Sequence, residues 1–482
     1  MEKHTESLLD FLLDHKELDP VSFHMPGHKG SRIYVENGYE NFLSGIMDCD
    51  ITEIPGADNL FQTESVINAV MDKYRELYEV EKSYLLINGS SGGIISAILA
   101  SVCQGGKLIM ARNCHKSVFN ALTLGNIEPI YAKPRIEEEY DVLGEITPFE
   151  ICRCLDENPD AQAVILPSPN YYGICSDIRA IADEVHKRGK ILIVDQAHGA
   201  HLKLFSKVLG EAKDYPSSAE EQGADMVINS THKTLASWTQ TAILNVCSKR
   251  VNLQILEDKL QAMESSSPSY PLMASLDINA DLLKNKGEEL IKEWDKNLNF
   301  FYSEAEKIKG LKLMTLPSMD KTKINIDLSA VGCTGLQFEE FLMKKGIFVE
   351  LVTGYIVMCM TGSGNKTGDY RRLLDALEEI STGHKEELLK GQSDEAKVVE
   401  HPEVLTRQLK TAKVPIVKES VYIDQAVGRV CASSVIPYPP GVPIVCPGEI
   451  FDKELLEYIK ALRAAGEKVI GVDGKNCVLV GK

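Results

Sequence analysis

Apolar residues in this chain follow two rhythms. Short runs rich in Val, Ile and Leu predict strands over residues 84–87, 107–111, 163–166, 191–195, 226–230 and 241–246. Between these runs apolar positions recur every three or four residues, as at Ile178, Ile181, Ala182 and Val185, which predicts a helix over 177–188. Strands that alternate with helical crossovers imply a largely parallel sheet, so residues 66–262 read as one large α/β domain.

The rhythm changes after that. A Ser/Pro-rich stretch, 265–271, leads into a long helical segment carrying Leu282, Leu283, Leu290, Ile291 and Trp294 at a period near 3.6. Ile324, Ile326 and Leu328 alternate as in a half-buried strand, a second alternating stretch covers 347–361, and a helix is expected over 371–380. Residues 263–385 therefore read as a smaller α+β domain. The polar, charged stretch 385–400 reads as a linker into a C-terminal domain over 386–482, and residues 1–65 as an N-terminal arm. Ile436–Pro443 holds four prolines, which exclude helix and sheet interior and leave an ordered loop or an extended strip.

Composition narrows the function classes. With 482 residues, 44% hydrophobic and 25% charged, the chain is long enough for about three globular domains. Its 52 basic and 70 acidic residues leave a net charge of -18, which argues against a nucleic-acid partner and favours the approach of small cations. No apolar run reaches the roughly 18 residues of a membrane span, and the N-terminus lacks the features of a secretory signal, so a cytoplasmic protein is expected. The twelve cysteines are scattered without zinc-ligand spacing and read as core thiols of a reducing compartment.

Three strings carry chemistry. Asn88–Gly93 (NGSSGG) lies between an expected strand and an apolar helix expected over 94–102. Glycines that admit an anion, serine hydroxyls and a helix N-terminus make it either a phosphate cup or a plain helix cap. It lacks the lysine of a nucleotide P-loop and the spacing of a dinucleotide fingerprint, so a small phosphate ester suits it better. In Asp195–His201 (DQAHGAH) an acid closes an apolar strand, where ligands of parallel sheets bind. That carboxylate can keep a pyridine nitrogen protonated, or cap a helix. The two histidines lack a third ligand at matching spacing, so no metal is expected. In Ser230–Lys233 (STHK) a lysine again follows an apolar strand, either as an imine-forming amine or as a solvated side chain. Cup, acid and lysine in this order match what pyridoxal 5'-phosphate requires.

With these strings the chain resembles the Orn/Lys/Arg decarboxylase family, in a short form without an N-terminal wing domain. The resemblance also rests on Ser22–Gly30 (SFHMPGHKG), Asp50–Leu60 (DITEIPGADNL), Arg112–Ser117 (RNCHKS) and Ile436–Glu449 (IPYPPGVPIVCPGE). It implies an α/β, aspartate-aminotransferase-like fold of type I, pyridoxal phosphate as cofactor, and decarboxylation of a basic amino acid. L-arginine to agmatine, for polyamine biosynthesis, is expected first, with lysine or ornithine as alternatives. By resemblance, Lys233 would carry the cofactor, Asp195 would pair with the ring nitrogen, and His115 and Ala197 would flank the ring. Ser90, Ser91, Gly92 and Ser230 would hold the phosphate with His232 nearby, and His232 or Lys233 would return the proton. Glu449 would face the cationic end of the substrate. The arm segments would lie at a homodimer interface beside the active site, with no catalytic role assigned to His28, Lys29 or Asp58. An aminotransferase of the same fold is the rival reading. It would need an arginine for the substrate carboxylate, and Thr361–Gly368 has none, with Arg371 and Arg372 falling on the following helix.

Overall fold

The computed structural model describes residues 7–210, 215–382, 409–410, 412, 414–438, 443–466 and 468–482. The linker expected over 385–400 and residues 439–442 of the proline-rich run lie outside them. The arm contributes a short strand, β1 (Val21–Phe23). The large domain holds β2 (Lys82–Leu86), β3 (Lys107–Ala111), β4 (Glu128–Ala132), β5 (Ala163–Pro167), β6 (Ile191–Asp195), β7 (Met226–Asn229) and β8 (Ala242–Val246). They form one sheet in the order β2-β8-β7-β6-β5-β3-β4, with β8 antiparallel to both neighbours and the remaining pairs parallel. All six expected strands are there, with small shifts at their ends. The edge strand β4 was not expected, because Glu128 and Pro129 break its apolar run; proline donates no ladder hydrogen bond and is tolerated at an edge.

Leu192, Ile193 and Val194 of β6 and Val227 and Ile228 of β7 are fully buried, as in parallel sheets covered by helices on both faces. The register pairs both Leu86 and Asn229 with the first residues of β8, so the carboxyl ends of β2 and β7 share one rim with those of β3, β5 and β6. Asp195 closes a strand at that rim, and Ser230–Lys233, His115 and Asn88–Gly93 follow strands that end on it.

The 36-residue helix Tyr270–Ala305 starts at Ser269, whose hydroxyl accepts from Leu272 N–H, and Pro271 fits its first turn, where an N–H has no helical partner. Trp294, Leu298 and Phe301 on this helix join Phe205 of the large domain and Ile324, Val357 and Leu373 of the small one in a shared core. The small domain is built on an antiparallel sheet of β9 (Lys312–Leu313), β10 (Lys323–Asp327), β12 (Leu351–Thr353) and β13 (Ile356–Met360), in the order β9-β10-β13-β12. The alternating stretch 347–361 thus splits into three strands, the first of which, β11 (Ile347–Val349), pairs in parallel with β1 of the arm. Leu409, Ile423, Val445, Phe451 and Ile459 belong to a separate C-terminal core. Among the described residues no helix is long and apolar enough to cross a membrane.

The arm is clamped between the two larger units. Gly27 N–H donates to His232 O at 2.7 Å, and Gly364 N–H donates to Gly27 O at 3.0 Å. A side-chain carbon on Gly27 would collide with the backbone of Thr234 and Leu235, and one on Gly362 would lie 2.7 Å from the Gly27 Cα. Backbone meets backbone there, which only glycine permits.

Candidate active site

Lys233 lies in the four-residue helix Thr231–Thr234 that follows β7. Its Nζ is 2.9 Å from His198 Nε2. Burial pushes the amine below the ordinary lysine range; Asp195 and Glu350 pull it back up, and Lys323 pushes it further down. Asp195 closes β6 and is 6% exposed. Its Oδ1 accepts from Ala197 N–H at 3.1 Å, and the next helix starts only at Leu202, so it caps no helix. Burial raises its carboxyl, against the pull of Lys233 and of that N–H. Ala197 itself is 5% exposed beside it.

The segment expected as a phosphate cup differs from its expected form. The helix spans Gly89–Ser101 rather than beginning at Ile94, so Ser90, Ser91, Gly92 and Gly93 are its first turn and not a loop before it. The free N–H groups of that turn, at the positive end of the helix dipole, are anion donors. A side-chain carbon on Gly93 would meet the Leu86 side chain at 2.5 Å, so this glycine lets the helix lie close on β2. Ser230 is fully buried, and its hydroxyl has no hydrogen-bond partner among the described residues. A buried hydroxyl left without a partner is costly unless a ligand takes it. Orphaned hydroxyl, first-turn N–H groups and an amine of lowered basicity together fit a phosphate ester bearing an aldehyde, which is the make-up of pyridoxal phosphate.

His115 is the N-cap of the helix Lys116–Gly125, with Nδ1 accepting from Ser117 N–H at 3.3 Å. Burial, then the charge of Lys233, lowers its pKa to about 3, so the ring is neutral with its hydrogen on Nε2. His232 donates Nδ1–H to Thr241 O at 2.6 Å, and burial lowers its pKa to about 4, so its Nε2 carries a lone pair. His201 is fully buried with Nε2 3.1 Å from an oxygen of Asp320. Among the described residues no cluster of three His, Cys, Asp or Glu side chains could hold a metal.

Glu449 departs from its expected place. It is 1% exposed, and Oε2 takes both Arg112 Nη2 at 3.2 Å and Cys446 N–H at 2.7 Å. Arg112 also donates to Pro443 O and Ile444 O and lies over the Tyr131 ring. Glu449 is therefore the counter-charge of a buried arginine that docks the C-terminal domain near His115, rather than an acid open to the substrate. Two residues that the sequence reading left without a role enter the site. His198 contacts Lys233, and its string DQAHGAH was the available signal. Glu350, between β11 and β12, is a buried carboxylate whose oxygens accept Tyr171 Oη–H at 2.9 Å and Met25 N–H at 2.9 Å. Nothing in its strand pattern marks it. Arg372 is committed to Lys345 O and Asp19 O, and Arg371 lies over the Phe300 ring.

Comparison with known proteins bears on this geometry. A family model described as Orn/Lys/Arg decarboxylase, major domain, matches residues 7–310, and the C-terminal domain of the same family matches 391–475. The chain is 31% identical to an arginine decarboxylase of Bacillus subtilis, over 100% of its own length and 98% of that protein's. It is 22% identical to the inducible lysine decarboxylase of Escherichia coli, over 97% of its length and 78% of that protein's. Among solved structures, the constitutive lysine decarboxylase of E. coli superposes with a TM-score of 0.75 at 19% identity, covering 98% of this chain and 82% of that one. The L-threonine transaldolase of Pseudomonas fluorescens superposes with a TM-score of 0.59 at 15% identity, covering 78% and 87%. The fold is thus the α/β architecture of type I pyridoxal-phosphate enzymes. The major-domain match takes in the cup, the strand-end acid and the strand-end lysine, and the chain belongs to the Orn/Lys/Arg decarboxylase family.

Proposed function

We propose that this chain is a pyridoxal-phosphate-dependent decarboxylase that converts L-arginine to agmatine and carbon dioxide, within polyamine biosynthesis. The observation that carries the reading is the buried Lys233 amine on one rim with Asp195, the orphaned Ser230 hydroxyl and the first turn of Gly89–Ser101. Arginine, ahead of lysine or ornithine, is favoured by the full-length likeness to a Bacillus arginine decarboxylase.

When bound, the cofactor supplies a protonated ring that takes up the electron pair left as carbon dioxide departs. The chain supplies the rest. Ser90, Ser91 and Gly92 with Ser230 would hold the phosphate, Asp195 would accept the ring N–H, and His115 and Ala197 would flank the ring. Lys233 is the amine that would bind the cofactor's aldehyde. His232 has its one ring hydrogen on Thr241 O, so it has no proton at Nε2 to give at neutral pH; the proton returned to Cα comes from Lys233 Nζ. Of the two carboxylates whose charge acts on Lys233, Asp195 would pair with the ring, and Glu350, held by Tyr171 Oη–H and Met25 N–H, adds negative charge beside the amine. With Arg371 and Arg372 engaged elsewhere, neither of them is placed to clamp the substrate carboxylate as transamination requires. A homodimer that shares its active sites is the proposed working form, supported by the exposed Met47, Ile54 and Val66. The twelve free thiols suit the cytoplasm.

Initial rates on arginine, lysine and ornithine at equal concentration test the reading. Carbon dioxide release that is fastest on arginine and indifferent to added oxo-acid is expected; dependence on an oxo-acid acceptor would overturn it.

A further inference from the structure

His198 has no part in the steps above, yet it touches the nucleophile. It is 9% exposed, with its Nε2 2.9 Å from Lys233 Nζ and its ring centroid 4.7 Å from that of Tyr171. Its Nδ1 is buried without a hydrogen-bond partner among the described residues. Its backbone carbonyl accepts from Lys323 Nζ, which belongs to β10 of the small domain. Lys323 is fully buried and also pairs with Asp320 Oδ2 at 2.7 Å, and Asp320 in turn faces His201. The loop that carries His198 is therefore pinned across the domain boundary by a buried charge pair.

The tautomer follows from this setting. If Nε2 accepted from Lys233, the ring hydrogen would sit on Nδ1, a buried donor with no acceptor, and the positive charge of Lys323 would work against it. If Nε2–H donates, Nδ1 carries a lone pair in the field of that charge, which is favourable. An ammonium has three donors and no acceptor, so only a neutral lysine amine can receive the Nε2–H. Other elements bring charged or titratable groups to the same amine: Asp195 from β6 and Glu350 from the β11–β12 link favour the ammonium, and Lys323 from β10 opposes it. His115, from the cap of Lys116–Gly125, and His232, beside Lys233, feel its charge and are themselves neutral.

Resting on the function proposed above, we infer that His198 is a positioning residue that donates Nε2–H to the neutral amine of Lys233 and is held there by Lys323, so that the lysine is primed only when the small domain is docked. The bond is local to the apo-protein, so it can be read without turnover. Full-length protein freed of pyridoxal phosphate is treated with cyanate, which carbamylates neutral amines only, across a range of pH. Labelling of Lys233 is followed by peptide mass spectrometry, with the exposed Lys286 as internal reference. In the wild type, Lys233 labels with a midpoint below that of Lys286. His198→Leu is expected to raise the midpoint by at least about one pH unit, which is roughly tenfold slower labelling near neutrality. His198→Gln, whose amide N–H replaces the ring donor, is expected to stay within about threefold of wild type. His198→Asn, too short to reach Nζ, should behave as the Leu variant and decides the matter if that variant does not fold. Labelling of His198→Leu or His198→Asn along the wild-type curve, or of His198→Gln no better than theirs, would overturn the inference. Failure of the wild type to form an absorbance band near about 420 nm with added pyridoxal phosphate would instead count against the cofactor reading and leave the labelling result standing.

Discussion

Lys233 and Asp195 make opposite demands on one buried environment. Burial alone would neutralise both, and each charge partly restores the other. Their removal should therefore have different signatures. Lys233→Ala is expected to abolish the absorbance near about 420 nm and lower kcat by at least about a thousandfold. Asp195→Asn, of the same size, should still turn yellow with the cofactor yet lose about 10²–10³-fold in kcat, because the ring is no longer held protonated; stopped assays of carbon dioxide release with spectra of each variant check both. The placement of these two residues was legible in the sequence because Asp195 closes an apolar strand and Lys233 follows one, each within a distinctive string. His198 and Glu350 were not, since what makes them matter is contact: His198 meets Lys233 35 positions away, and Glu350 meets Tyr171 179 positions away. The same limit misplaced Glu449. Its partner Arg112 stood in a quoted motif, but a pairing across 337 positions leaves no local mark.

Elements join through a few buried charges, and these set where the structure is brittle. Arg112 and Glu449 side chains are each 2% exposed. Arg112→Met or Glu449→Gln alone leaves the other group buried and uncompensated, with an expected loss of about 3–5 kcal/mol, whereas the double variant Arg112→Met/Glu449→Met should regain much of it; urea unfolding of the three proteins measures this. The start of the helix Gly89–Ser101 carries a second sensitive acid. Glu264 Oε1 accepts from Ile87 N–H and Asn88 N–H, but burial raises its pKa from 4.5 to about 7. Between those values the folded chain keeps a proton that the unfolded chain has lost, so stability falls as pH rises through the window. Glu264→Gln, uncharged throughout, should flatten that slope in thermal unfolding from pH 4.5 to 7.5. The helix itself was legible from its apolar run, but its true start was not, because Gly89–Gly93 has poor helical propensity and is held in the helix by packing on Leu86.

At the scale of the whole molecule, the net charge of -18 gains a use if the substrate is cationic. Raising ionic strength from about 50 to 500 mM should then raise KM more than it lowers kcat, as long-range attraction is screened; an unmoved KM would leave the acidity to solubility alone. The parallel sheet was legible because fully apolar strands alternate with amphipathic helices. The three-strand division of 347–361 was not, since its turns and its pairing with β1 depend on an arm more than three hundred residues away. That arm has a further consequence, in time rather than space. Gly27 is made well before its backbone partners, His232 and Gly364. At about 5–20 residues per second, it waits on the order of 20–70 s on the ribosome before the second of them exists. A nascent chain that has already made the strands of its large sheet is thus still without the second half of the clamp beside its nucleophile, and an early-made segment there waits for a much later one to hold it.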